Sequence, residues 1–395
     1  MKILVISHMY PYSDKDTYGL FVHNQVKALK AQGCEVKIIC PMPYAPHVLS
    51  FFKDKWRRYN SVPKKQILDG IEVYYPRYLE FPKSMFMEHS GFFMYKGVLK
   101  VVKEIYKEFK FDLIHSHVLL PDGYGAMLLN KNYKVSHVST VHGQDFQVTI
   151  HTSEKFKERI YEVIDACDAV VTVSTKLKNV IKEENLRGKI YVINNGINID
   201  DCNCKDEAKD EDRIVILSVS NLIKTKGIDL NIKAIKRLVE KYPNILYRIV
   251  GAGPEMDNLK TLTQKLSLQD NVEFTGKISN QEVMKYMKSC QIFSLPSWEE
   301  GFGVVYIEAM AHGKPVIGVK GQGIEDVIKD GENGFLANPK DSEDLARILE
   351  YLLENEEKAV AIGNKGKLTV LNNFTWKHNA EKTISLYENI LSNKN

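Results

Sequence analysis

Short apolar runs alternate with stretches whose apolar residues recur every three or four positions, along almost the whole chain. Residues 2–7, KILVIS, read as a buried first strand. Val22, Val26 and Leu29 then fall on one face of a helix, which Gly33 stops. Further strands are expected at residues 35–40, 71–75, 112–115, 135–141, 169–173 and 190–193, with helices between most of them. Strand–helix alternation of this kind predicts a parallel sheet covered on both faces.

Residues 199–213, IDDCNCKDEAKDEDR, interrupt the rhythm. The stretch is highly charged and has no large apolar residue beyond its first position, so it reads as an exposed linker. The alternation restarts with a strand at 214–219, and Ile228, Ile232, Ile235 and Val239 mark an amphipathic helix. Strands follow at 246–250, 272–274, 292–295 and 316–319, and the last third ends in helices. The expected architecture is α/β, with one doubly wound, Rossmann-like domain at 1–198, a linker at 199–213 and a second such domain at 214–373. Two units of this kind would place ligands at the carboxyl ends of their strands, facing a cleft between them.

Composition narrows the class. With 44% apolar and 26% charged residues in 395, the chain is neither disordered nor a fibrous repeat. A net charge of +4 is too small to imply nucleic-acid binding. The charge is uneven: 28 Lys and Arg against 20 Asp and Glu up to residue 198, then 26 against 30. Two domains with different partners would produce this asymmetry. Six cysteines contain no C-x-x-C pair, so reduced thiols in a cytoplasmic protein are expected. Cys202 and Cys204 have too few ligands beside them for a metal. The first apolar run is too short for a signal peptide, and no uncharged run approaches the ~20 residues of a spanning helix.

Residues 296–317, PSWEEGFGVVYIEAMAHGKPVI, carry the strongest chemical signal. A strand ends before them, and a loop holds Glu299 and Glu300. Gly301 and Gly303 let a backbone approach a ligand closely. A helix follows, ended by Gly313 and Pro315, and its first amides suit phosphate or hydroxyl oxygens. If that helix starts near Gly303, Glu308 stands about 8 Å along it, at ~1.5 Å per residue. Two carboxylates so spaced could meet different parts of one extended ligand. Alone, a pair of glutamates in so acidic a stretch could equally be two solvated charges; the surrounding Gly-Phe-Gly, Glu-Ala-Met-Ala and Gly-Lys-Pro-Val elements argue against chance.

This stretch resembles the donor-site signature of the retaining glycosyltransferases of family 4, which have the GT-B fold. The resemblance runs over nearly the whole chain. It includes Tyr18-Gly19-Leu20-Phe21, Asp112-Leu113-Ile114-His115-Ser116-His117 with Pro121-Asp122-Gly123, His142-Gly143-Gln144-Asp145 and Asn195-Gly196-Ile197. Lys226-Gly227, Gly251-Ala252-Gly253-Pro254 and the closing Phe374-Thr375-Trp376 also match. The resemblance implies that residues 374–395 form a helix crossing back to the first domain. It implies that Glu300 binds donor-sugar hydroxyls and Glu308 the ribose. Gly301 and the amides of Phe302, Gly303 and Val304 would meet sugar and phosphate oxygens. Lys226 would neutralise the diphosphate, Gly19 would let the first loop close over it, and Gly253, Asn221 and Lys277 would complete the donor side. His142 would lie near the reacting sugar, with His117 and Asp145 beside it on the acceptor side. One departure stands out: the family usually has Gly-Arg where this chain has Ser220-Asn221, and Asn221 brings no charge. Lys224 could supply it or face solvent.

Other features have plainer readings. His115 and His117 share one side of a strand and could begin a metal site, but no third ligand is evident. Hydrogen bonding at the strand end, or a wall of the acceptor site, would also account for them. Asp14-x-Asp16 resembles a metal–nucleotide motif of another fold but sits in a loop outside that context. Asp210, Glu211 and Asp212 are linker. Gly251-x-Gly253 is a weak dinucleotide signal or a simple turn. Phe51 to Tyr59 with Lys64 and Lys65 mixes aromatics with cations, and residues 51–110 hold 13 basic against 7 acidic side chains. That composition would suit an anionic membrane surface, an anionic acceptor or a solvated face.

The expectation is a retaining sugar transfer from a UDP- or GDP-sugar to a hydroxyl of a glycan or lipid-linked envelope acceptor. No metal and no other cofactor is expected, nor any nucleic-acid partner. A phosphorylase or sugar-nucleotide epimerase of the same architecture, or a silent sugar-nucleotide binder, stays open.

Overall fold

A computed structural model describes residues 1–13, 18–44, 54–80, 87–202 and 212–394. Asp14, Asp16, Asp210 and Glu211 lie outside the described residues, as do Phe51 to Lys53 and Cys204. The chain divides into two compact units, Met1–Asn194 with Trp376–Asn395, and Asn195–Thr375.

The first unit is built on an eight-stranded sheet. Its spatial order is Ile190–Val192, Ala169–Thr172, Ser136–Val141, Leu113–His117, Lys2–Ile6, Glu35–Ile39, Ile71–Tyr74 and Lys65–Leu68. All pairs are parallel except the last, where Lys65–Leu68 runs antiparallel to Ile71–Tyr74. That hairpin turns through Asp69 and Gly70, both at positive φ (48° and 72°), as a tight two-residue turn requires. Side chains of the first strand alternate between faces. Ile3 and Val5 pack with Val22, Val26 and Leu29 of the helix Leu20–Ala31. Leu4 and Ile6 pack with Val98 and Val102 of Ser90–Glu108. The final helix, Trp376–Ser392, lies on Leu20–Ala31. Gln25 donates to Asn379 (2.8 Å), which donates on to the Asn194 carbonyl (2.8 Å).

The second unit carries a six-stranded, wholly parallel sheet in the order Val272–Gly276, Ile245–Val250, Ile214–Val219, Ile292–Ser294, Val316–Val319 and Phe335–Ala337. The expected helix is Ile228–Leu238, so Val239 is its cap rather than a member. Two of its helices, Asn280–Ser289 and Ser342–Glu354, start at side-chain caps. Ser279 and Glu282 form a reciprocal capping box, and Asp341 accepts from the amides of Glu343 and Asp344.

In each sheet the chain starts in the interior, builds outward on one side and returns to build on the other. The turning points lie beside Lys2–Ile6 and Leu113–His117 in the first unit, and beside Ile214–Val219 and Ile292–Ser294 in the second. Open α/β sheets bind ligands beyond the carboxyl ends of such strands. Among the described residues, no helix is long and apolar enough to cross a membrane.

Candidate functional site

At the second unit's switch point, two loops are laced together. Lys224–Lys226 form a single turn, and Gly227 follows at φ 68° to cap Ile228–Leu238. A side chain at Gly227 would meet the Pro296 carbonyl at 2.3 Å, so only glycine permits this approach. The Thr225 carbonyl accepts from the Trp298 amide (3.0 Å) and the Ser297 hydroxyl (3.3 Å). The result is that Lys226 Nζ donates to Glu300 Oε2 at 2.6 Å, across 74 residues, with both side chains less than one-fifth exposed.

Glu300 is held from its other side, where Gln322 accepts from its amide (3.0 Å). Gly301 packs against Gly323, at which a side chain would stand 2.0 Å from the Gly301 carbonyl. Gly303, at φ 88°, caps the helix Val304–Ala311. That helix is anchored by Tyr306, whose hydroxyl donates to the Leu295 carbonyl (2.8 Å). Burial, and then the nearby Glu300, push the Tyr306 pKa well up, so it stays a hydroxyl. Phe302 is buried against Phe374, which leaves only its backbone for a ligand. Val304 opens the helix, and Glu308, half-buried, lies one turn further on.

Around this pair the predicted donor residues Gly253, Asn221 and Lys277 fall on loops of the same unit, whereas Gly19 belongs to the first unit. Gly253 and Gly251 line up against the loop after Ile214–Val219: Leu222 donates to the Ala252 carbonyl (3.0 Å), and a side chain at Gly251 would overlap the Ser220 carbonyl. Asn221 is exposed, and so is Lys224. Lys277 is exposed just beyond Val272–Gly276. Beneath the loops, Asn231 donates to Ser218 (3.1 Å), Tyr247 (3.0 Å) and the Ser294 carbonyl (3.0 Å), and accepts from the Ser294 hydroxyl (2.8 Å). This buried knot ties the helix behind Lys226 to three strands. Asn231 is invisible to sequence reasoning, because a lone asparagine on an apolar helix face carries no pattern. Ser220 Oγ is buried with no partner, a second unread signal at this edge.

The first unit's switch point gathers different chemistry. Gly19, at φ 72°, starts the helix Leu20–Ala31, and a side chain there would strike the Met9 carbonyl at 2.3 Å. His142 follows Ser136–Val141, and its ring packs 4.5 Å from that of Phe21. His117 Nδ1 and His142 Nε2 are 3.0 Å apart, in rings only 12° from parallel. The histidine strand extends to His117 rather than stopping at His115, so Ser116 and His117 are buried sheet residues. His115 is occupied at both nitrogens, by Thr140 Oγ1 (2.7 Å) and Tyr387 (2.5 Å). Hydrogen bonding therefore accounts for it. Among the described residues, no three His, Cys, Asp or Glu come together to hold a metal ion.

Desolvation dominates the electrostatics here. It lowers His142 and His115 to about 3 and His117 well below its ordinary value, so these rings are neutral at physiological pH. Asp145 is buried and accepts from the Leu120 amide (3.2 Å), and burial raises its pKa to about 6. His8 and Asp122 form a pair that sequence reasoning misses. His8 Nδ1 and the His8 amide reach Asp122 Oδ2 at 2.9 and 3.1 Å. Burial raises the Asp122 carboxyl; it is also the largest influence on His8, where it opposes charge, but Asp122 with lesser help from Asp145 and Glu80 leaves the imidazole raised. A 114-residue separation hides such a pair from any local pattern.

Two family models match consecutive parts of the chain: Glycosyltransferase Family 4 over residues 19–201 and Glycosyl transferases group 1 over residues 201–369. The putative teichuronic acid biosynthesis glycosyltransferase TuaC of Bacillus subtilis is 30% identical over 359 residues, covering 88% of each chain. Sucrose-phosphate synthase from Thermosynechococcus elongatus superposes with a TM-score of 0.79 at 21% identity, covering 99% of both chains. HepE from Anabaena in complex with UDP gives 0.73 at 18% identity, over 98% of this chain and 100% of that one. With two Rossmann-like units of GT-B type and this match to both family models, the chain belongs to the glycosyltransferases of family 4 and group 1.

Proposed function

We propose that the chain moves a sugar from a nucleotide-diphosphate sugar to a hydroxyl of a glycan or lipid-linked acceptor of the cell envelope, with retention at the anomeric carbon. The observation that carries this reading is the Lys226–Glu300 pair at the second unit's switch point. A cation for a leaving diphosphate and an acceptor of sugar hydroxyl protons are held side by side, next to a helix N-terminus. The acidic surplus of the second half does not oppose anion binding, because Lys226 and the helix amides act locally. UDP bound by HepE, a neighbour of the same fold, supports a nucleotide donor.

In this reading the bond from the anomeric carbon to the diphosphate oxygen breaks while the bond to the acceptor oxygen forms on the same face. The acceptor hydroxyl proton passes to the departing phosphate. Lys226 and the amides of residues 302–304 stabilise the charge that develops on the diphosphate. Glu300, braced by Gln322, orients the sugar, and Glu308 takes the ribose. Positioning and preorganised electrostatics supply the rate, so no protein nucleophile and no metal is required. The first unit takes the acceptor. Its helix Asp54–Ser61, with Trp56 and Tyr59 in edge contact (6.0 Å), belongs to the basic aromatic segment, which we assign to an anionic membrane face on the cytoplasmic side.

A panel of UDP- and GDP-sugars, assayed for transfer and hydrolysis, tests the reading. Wild type should turn over at least one donor, and Glu300→Ala should lose that turnover while remaining folded by circular dichroism. Unchanged turnover in Glu300→Ala would remove the assigned site. Product that is a sugar phosphate or an epimerised nucleotide would replace the transferase reading.

A further inference from the structure

A buried carboxylate holds His8, and no step of the transfer described above uses the pair. His8 lies two residues beyond Lys2–Ile6, at the carboxyl edge of the first unit's sheet. Asp122 comes from the turn Leu119–Gly123, which follows the neighbouring strand Leu113–His117. The Asp122 side chain is 0% exposed, and its Oδ2 meets both the His8 amide (3.1 Å) and His8 Nδ1 (2.9 Å). An amide only donates, so Oδ2 is an acceptor, and two donors on one oxygen favour the ionised carboxylate. The proton between the side chains therefore belongs to Nδ1, and Nε2 is the outward nitrogen. Nε2 has no hydrogen-bond partner among the described residues, and the ring is 28% exposed.

A latch between two loops accounts for the contact but not for its form. An asparagine at 122 could accept the same two N–H groups through one oxygen, with no buried charge. The carboxylate also leaves its Oδ1 buried without a partner, a further cost. What it adds is control of the imidazole: it fixes the tautomer and makes Nε2 more basic.

The surroundings narrow the ligand. Burial, the largest influence on His8, opposes charge on the ring. Asp122, then Asp145 after Ser136–Val141 and Glu80 after the short strand Arg77–Tyr78, outweigh it and hold the imidazole above its ordinary pKa. These facing groups are all carboxyls, so they would repel an anion but not a neutral hydroxyl. Glu80 is exposed and accepts from the Tyr78 hydroxyl at 3.3 Å. Burial first, then Asp122 with help that includes Glu80, pushes the half-exposed Tyr18 phenol up to about 12, which places that ring near the same carboxyls. An outward imidazole nitrogen, a carboxylate and tyrosine rings suit the hydroxyls and apolar faces of a sugar.

We propose that His8 is a carbohydrate-contacting residue of the first unit: Asp122 fixes it as the Nδ1–H tautomer, and Nε2 takes a hydroxyl of an uncharged sugar ring of the acceptor. The proposal rests on the transferase reading for calling that sugar the acceptor, not for the tautomer or the contact. No bond to His8 forms or breaks, and the reacting proton still goes to the departing phosphate.

The test is the side-chain nitrogen spectrum of the full chain labelled with 15N-histidine, with the His8 signals assigned by His8→Gln. From about pH 5 to about pH 9, Nδ1 should stay protonated while Nε2 loses its proton at a midpoint above that of free histidine. Asp122→Asn should lower that midpoint, and this shift assigns the signals if His8→Gln does not fold. The methyl glycosides of glucose, galactose, mannose and N-acetylglucosamine are then titrated in, beside glucuronate and glucose 6-phosphate. At least one neutral glycoside should move the Nε2 signal saturably, and the anionic sugars should do so at least about tenfold more weakly. A bare Nδ1 with a protonated Nε2 overturns the proposal. So does an Nε2 signal that no neutral glycoside moves, as a latch alone predicts, or one that the anionic sugars move as strongly. A saturable shift in a protein that turns over no nucleotide sugar would remove the transferase reading and leave His8 a sugar contact. Turnover with no sugar response at His8 would remove this proposal alone.

Discussion

The two units share a topology and place their candidate residues at the same kind of switch point, yet the two points differ in charge. In the second unit Lys226 and Glu300 form an ion pair at 2.6 Å, part-buried and set in glycine-lined loops. In the first, three neutral histidines are buried near Asp145 and Asp122, two carboxyls whose proton affinity burial raises. The same sheet architecture thus supports an ion-paired site where a diphosphate is proposed to sit and one dominated by neutral imidazoles where hydroxyls are proposed to sit. Burial makes this difference. Desolvation penalises whichever form is charged, and Lys226 and Glu300 offset that penalty by facing each other.

Loss of turnover in Glu300→Ala is the largest effect expected on the charged side. On the neutral side the strongest expected effect concerns pH. With its pKa raised to about 6, folded Asp145 holds a proton that the unfolded carboxyl, near 4, has already released. Its contribution to stability therefore falls as pH rises from about 4 to about 6. His142 and His115, lowered to about 3, act in the opposite sense: the unfolded rings bind protons that the folded ones refuse, so stability rises with pH from about 3 to about 6.5. Wild type should show these slopes partly cancelling. Asp145→Asn should unmask the rising slope and gain up to about 2–3 kcal/mol above pH 6, because each tenfold change in proton affinity corresponds to ~1.4 kcal/mol. Urea denaturation across that range measures it, and a variant with the wild-type slope would place Asp145 in a more polar setting than the structure does.

A smaller effect sharpens the comparison within the second unit. Asn231→Ala strands the Ser294 hydroxyl and the partners of the asparagine amide, and should cost about 1–3 kcal/mol. If the knot positions Lys226, the variant should also raise KM for the donor beyond what a matched core substitution of equal cost does. Equal KM at equal stability loss would make the knot structural only.

Much of the fold is legible in the sequence, because buried parallel strands are short apolar runs. The strands Ile214–Val219 and Val316–Val319 have the expected bounds. Pattern alone ends the histidine strand at His115, because Ser116 and His117 are polar; their hydrogen bonds come from Ser136–Val141 and the residue beyond it, across the sheet. Lys65–Leu68 escapes the pattern, being a half-exposed edge strand with little apolar signal, although the Asp69-Gly70 turn is visible. Phe335–Ala337 is too short to show a pattern. Among site residues, motif resemblance singles out Lys226, Glu300, His117 and His142, but their pairings depend on loops 74 and 25 residues apart. Gln322, Asn231, His8 and the role of Asp122 have no local signature at all.

The most direct test is calorimetric titration of UDP and GDP into wild type and Lys226→Ala. A nucleoside-diphosphate site built on Lys226 predicts that wild type binds one equivalent of one of them, and that Lys226→Ala binds it at least about tenfold more weakly, a loss of ~1.4 kcal/mol. Equal affinity in the two proteins, or no binding of either nucleotide by wild type, would contradict the account.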